Sequence, residues 1–105
     1  VVMDDNLFAE FYSAVKKEPF EDGRAKMIQT AILNSDFTSD QCLQLVKLCR
    51  FDDEKLVIMK AMYPHIVDKQ AFFSVVNELV FSSKKDQMNV FISQYNNNRN
   101  VQPNY

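Results

Sequence analysis

The sequence predicts an all-α fold: a compact bundle of six short helices arranged as three helix-hairpin repeats of about 30 residues. Three observations carry that expectation. The stretch from Arg50 to Pro64 has a helix start signal, a stop signal and almost no polar face. Versions of it occur on both sides of it in the chain. A single glycine and three prolines are too few turn residues for a sandwich or barrel.

Each element has a local justification. Asp4 or Asp5 can cap a first helix running to about Lys17. Phe8, Phe11, Tyr12 and Val15 form its apolar stripe at i, i+3, i+4 and i+7. Pro19 breaks the chain, and Phe20-Glu21-Asp22 starts a second helix with Ala25, Met27, Ile28, Ala31 and Ile32 inward. After the turn cluster Asn34-Ser35-Asp36, Thr38-Ser39-Asp40-Gln41 matches a capping box, with Phe37 and Cys42 as the staple. The third helix carries the stripe Cys42, Leu45, Val46, Cys49.

The fourth helix is the expected centre. Asp52 or Asp53 can be its N-cap, Phe51 and Leu56 its hydrophobic staple, and Pro64 its stop. Between those marks only Lys60 interrupts the apolar run from Leu56 to Tyr63, and a helix apolar nearly all round is packed on several sides. The run is too short to span a bilayer, which needs about 20 residues. Val67-Asp68 is read as the cap of a fifth helix with the stripe Phe72, Val75, Val76, Leu79. Phe81-Ser82-Ser83 starts a sixth, with Met88, Phe91, Ile92 and Tyr95 inward. These elements make one domain over residues 4–95, and residues 96–105 read as a polar, Asn-rich tail or linker.

The repeat holds position by position. A shift of 30 places Cys42, Leu45, Val46 and Cys49 on Phe72, Val75, Val76 and Leu79. It also places Phe51 on Phe81, Lys55 on Lys85 and Ile58 on Met88. A backward shift of 31 places Phe51 on Phe20 and Lys55 on Arg24. Phe20, Phe51, Phe81, Arg24, Lys55, Lys85 and Asp68 are therefore read as a structural signature. A cation near a helix N-terminus is mildly unfavourable, so at least one of the three should reach a carboxylate from another segment, Asp36 or Asp68 being the candidates. Helices this short are marginal alone and need their neighbours for burial.

Composition bounds the function. A chain of 105 residues with 47% apolar and 25% charged residues is an ordinary globular domain. The net charge of −2 supplies no strong field for nucleic acid or anionic membrane. Lys16-Lys17 and Lys84-Lys85 are isolated pairs, and the aromatics sit on core stripes rather than between basic residues. Neither nucleic-acid binding nor membrane insertion is expected. Val1-Val2-Met3 lacks the basic start and long apolar core of a signal peptide, and the domain is read as part of a larger protein. Cys42 and Cys49, placed in one helix, are roughly 10 Å apart along its axis, too far for a disulfide. Free thiols mildly favour a reducing, cytoplasmic compartment, which otherwise stays unassigned.

The phrases Asp36-Phe37-Thr38-Ser39-Asp40-Gln41, Phe51-Asp52-Asp53-Glu54-Lys55-Leu56, Lys60-Ala61-Met62-Tyr63-Pro64 and Val67-Asp68 together resemble the uncharacterised family called domain of unknown function 4476. The resemblance covers about residues 5 to 95. It implies a small helical module, often at the end of longer chains with low-complexity or Pro-rich regions. No activity or ligand comes with it.

Candidate chemistry is thin. Cys42 in a first turn, with His65 as base, is the nucleophile arrangement available, but Cys42 lies on an apolar stripe and aligns with Phe72. Two Cys and one His lack zinc-ligand spacing. Asp36, Thr38 and Asp40 begin like a calcium loop without its Gly or closing Glu. Asp52, Asp53 and Glu54 read as a solvated helix end offsetting the dipole. No catalytic residue, cofactor or metal is expected.

Off the main stripes lie Phe73, Leu43, Leu48 and Val90. They complete packing between helices or, if clustered outside, form a partner-binding surface together with Tyr63 and His65. The leading expectation is a non-enzymatic helical protein–protein interaction module that binds an unidentified protein or peptide. The alternatives are a structural spacer or adaptor, and a small enzyme using Cys42 or the acidic cluster Asp52–Glu54.

Overall fold

The computed structural model describes residues 1–99. Six α-helices follow one another: α1 Asp5–Lys17, α2 Glu21–Ala31, α3 Ser39–Val46, α4 Asp52–Met62, α5 Phe73–Val76 and α6 Ser82–Arg99. Tyr63–His65 and Lys69–Ala71 are single 3₁₀ turns between α4 and α5. The fold is all-α, as the periodicity predicts. None of these helices is long and apolar enough to cross a membrane.

The helices pack in an alternating order. α1 lies against α3 and α3 against α5, while α2 lies against α4 and α4 against α6. Contacts of α3 with α4 and of α5 with α6 join the two sets. The extended residues leading into α1, α3 and the first 3₁₀ exit also lie side by side. Val2 bridges Asp36 and Phe37 bridges Ile66, both parallel. Met3 N–H donates to Asp36 O at 3.0 Å, and Phe37 N–H to His65 O at 2.9 Å.

The capping box at α3 forms as its residues dictate. Thr38 Oγ1 accepts from Gln41 N–H at 3.1 Å, and Gln41 Oε1 accepts from Thr38 N–H at 3.0 Å. Gln41 Nε2 also donates to Met3 O at 3.0 Å, which ties the start of α1 to the start of α3. Asp4 caps α1 through Leu7 N–H at 2.8 Å.

The stripes converge on one core. Phe37, Leu45, Ile58, Met59, Met62, Phe72 and Met88 are fully enclosed. Each such side chain contributes about 1.5–3 kcal/mol by leaving water. α4 is central, touching α2, α3 and α6. Its one large apolar residue left outside is Val57, half exposed.

Four local expectations are corrected. Phe51 does not close a staple on Leu56: its ring is exposed, with the Arg50 guanidinium 5.6 Å from the ring centre. Cys49 lies beyond α3, which ends at Val46. Asp68 caps no helix of its own, because its carboxylate accepts from Ser39 N–H at 2.7 Å. In place of a full fifth helix, one 3₁₀ turn, Lys69–Ala71, and one α-turn, Phe73–Val76, form. Finally, α6 runs through Asn96–Arg99, into the stretch read as tail. Tyr95 stacks edge-on against Tyr63 at 5.4 Å, and Asn96 Oδ1 accepts from Tyr63 Oη at 3.3 Å, so helix continues where side chains still pack. Residues 100–105 of the expected tail lie outside the described residues.

Candidate functional site

The first turn of α4 organises the surface around it. Residues two apart on a helix do not share a face, so Asp52 and Glu54 point to opposite neighbours. Glu54 turns to α2 and receives Arg24 Nε at 2.7 Å and Nη2 at 2.9 Å. Arg24 Nη1 also donates to Glu18 O at 2.9 Å. Asp52 turns to α6 and accepts from Val80 N–H at 3.0 Å and Phe81 N–H at 2.9 Å. It thus caps the start of α6 rather than its own helix, whose N-cap residue Phe51 makes no side-chain cap bond.

The solvated-end reading of Asp52, Asp53 and Glu54 is therefore overturned for two of the three. Asp52 and Glu54 are each only 6% exposed, and Asp53 alone faces water. Burial alone would raise the Asp52 pKa. The N–H groups of Phe81 and Val80, with Lys55 and Lys84, outweigh it and hold the carboxyl below its ordinary value. Both carboxylates are buried, and each of their oxygens accepts from a donor on another segment.

The repeated cations divide their roles. Arg24 reaches a carboxylate of another segment, but it is Glu54. Asp36 meets the amino group of Val1 at 3.0 Å, and Asp68 is spent on Ser39. Lys55 donates to Glu78 O at 2.9 Å, with Asp52 Oδ1 3.9 Å away on its own helix. No ion pair of Lys85 occurs among the described residues.

Phe20, Phe51 and Phe81, the residues before α2, α4 and α6, are 72%, 66% and 64% exposed. Phe51 and Phe81 line one groove with Asp52, Asp53 and Lys84. The first turns of α2 and α4, which follow Phe20 and Phe51, line another. Phe51 and Phe81 thus border one groove, and Phe20 stands exposed at the same position before α2. The repeat brought these rings into register in the sequence. The staple rule misread the direction of Phe51 as inward.

Of the five residues expected as a partner surface, Tyr63 is enclosed, Phe73 is exposed, and Leu43, Leu48 and His65 lie between these extremes. Tyr63 is 3% exposed, held edge-on against Phe72 at 5.1 Å as well as Tyr95. Leu43 and Leu48 pack against the core edge. His65 lies beside Asp36, with Nδ1 3.9 Å from Oδ1. Phe73 is exposed, and so is Val90, which lies in a groove between α4 and α6.

Both cysteines are buried free thiols. Burial pushes the Cys42 thiol far up, with Cys49 adding to it. Burial, then the Glu54 carboxylate, pushes Cys49 up to about 12. Neither supplies a thiolate near neutrality. Among the described residues no group of three His, Cys, Asp or Glu side chains could hold a metal ion.

Fold and surface define a small helical module with shallow grooves and exposed aromatic rings. The family model described as Domain of unknown function (DUF4476) matches residues 2–92, and the chain belongs to that family. No curated protein and no solved structure matches it.

Proposed function

We propose that this domain is a non-enzymatic protein–protein interaction module, built as a three-unit repeat of paired helices, and that its partner docks on the exposed rings of Phe20, Phe51 and Phe81. The carrying observation is the exposure of all three rings at equivalent repeat positions. Scattered surface apolar residues need no explanation, but Phe51 and Phe81 border one groove, and contiguous exposed apolar surface marks an interaction site. Aromatic rings are also the side chains that most often dominate binding energy. The alternation of contacts between odd and even helices supports the repeat. A spacer has no use for such a surface. The enzyme alternative finds its nucleophile buried and its carboxylates engaged.

The test is capture of partners from a cell extract by the domain, with Phe51→Ser and Phe81→Ser together compared against Phe73→Ser. Loss of the same partner with the first pair and retention with Phe73→Ser is the expected result. Retention with the first pair and loss with Phe73→Ser would move the docking surface to α5.

A further inference from the structure

We propose that the groove between α2 and α4 receives a basic–apolar peptide segment, one aliphatic side chain on its floor and lysine or arginine beside it. This rests on the interaction reading above and names the partner's chemistry. The groove is lined by Glu21, Asp22, Ala25, Asp53, Glu54 and Val57. Its volume is about 200 Å³, below the roughly 300–1,000 Å³ of sites that enclose small molecules. That space suits a side chain presented by a peptide.

The floor explains the apolar half of the ligand. Val57 is the half-exposed residue of a helix whose other apolar residues are mostly enclosed, and Ala25 faces it across the groove. The walls explain the basic half. All four ionisable residues lining the groove are carboxylates. Glu54 is taken by Arg24, and Asp53 shares Lys84 at 3.0 Å. Glu21 and Asp22, both exposed, enter no ion pair among the described residues. Complementary charge at such a surface selects partners and speeds their encounter.

The same charges disfavour other occupants. A second copy pairing groove to groove would set carboxylates against carboxylates, and an anionic bilayer would be repelled. The groove between α4 and α6 makes no such choice, since Lys60 and Asp86 both line it and Lys60 sits 6.0 Å from the Phe91 ring centre.

The experiment is an NMR titration of the isotope-labelled domain with a short peptide bearing a central leucine between arginines. A peptide with glutamates replacing the arginines, and vesicles of anionic lipid, are run beside it. The arginine peptide is expected to shift the amides around Glu21, Asp22, Ala25 and Val57, more weakly at high salt. Glu21→Gln with Asp22→Asn is expected to lower affinity on the order of tenfold, about what two exposed ion pairs supply. Both substitutions are on the surface, and unchanged spectra elsewhere establish that the fold is kept. Absence of binding, equal binding of the glutamate peptide, shifts confined to the α4–α6 groove, binding to the vesicles instead, or self-association through this groove would each overturn the inference. None of these touches the exposed phenylalanines, whose own test is the loss of captured partner with Phe51→Ser and Phe81→Ser.

Discussion

Arg24 of α2 and Glu54 of α4 meet in a two-pronged pair, at 2.7 and 2.9 Å, across an interface that nearly closes over them. The guanidinium fork matches the two carboxylate oxygens, a geometry lysine cannot copy. Glu54→Gln is expected to destabilise the domain by about 2–3 kcal/mol, because it leaves a partly buried guanidinium without its charge partner. Arg24→Met combined with Glu54→Leu should recover most of that loss. Urea denaturation of the single and double variants measures both. A double variant no better than either single would show that the pair's neighbours, and not its charge, hold α2 on α4.

Asp52 makes the start of α6 depend on α4. Replacing it with alanine strips acceptors from Val80 and Phe81 N–H and should cost about 1–2 kcal/mol, the range of a lost helix cap. The contribution also has a pH signature. The folded carboxyl titrates below its ordinary value, so its stabilisation is complete above the unfolded pKa of about 3.9 and fades as pH falls through the lower folded value. Acid titration of unfolding should be less steep below about pH 4 for Asp52→Asn than for the natural domain. Identical acid profiles would remove the clamp from the account.

The thiols of Cys42 and Cys49 should be silent in the folded domain. Burial raises both, Cys49 to about 12, so a thiol reagent at mild alkaline pH should label neither until urea unfolds the chain. Fast labelling without denaturant would mean that α3 opens readily, and would bring the enzyme alternative back.

The two kinds of phenylalanine should separate in their energetics. Phe37 is fully enclosed, and Phe37→Ala is expected to cost about 3–5 kcal/mol. Phe51→Ser should cost no stability, because the ring already stands in water and serine can supply the side-chain cap that Phe51 lacks at the start of α4. Thermal unfolding of the two variants suffices. A large loss with Phe51→Ser would mean that the ring is structural.

Short-range pattern was enough to read the helices, because their signals lie within a turn of the residues they govern. The capping box at Thr38 appears where its signal lies. α4 ends just before Pro64, although Tyr63 keeps helical angles and Pro64 sits within a 3₁₀ turn. Phe72, Val75, Val76 and Leu79 are buried, but only Val75 and Val76 lie on α5. The centrality of α4 also appears as expected, since its lack of a polar face implies neighbours on several sides.

Where long-range partners compete for the same group, the chain alone could not choose. Asp52 and Asp68 look like caps of their own helices, yet each serves a helix start 28 to 29 residues away. Phe51 fits a staple locally, yet its ring stays exposed while Leu56, Asp52 and Glu54 are buried. Tyr63 looks available beside Pro64, but Phe72, Phe91 and Tyr95 all pack edge-on against it and it is buried. Periodicity states which residues prefer to leave water. Which carboxylate meets which backbone N–H, and which rings stay outside, follows from how neighbouring helices compete for one confined space.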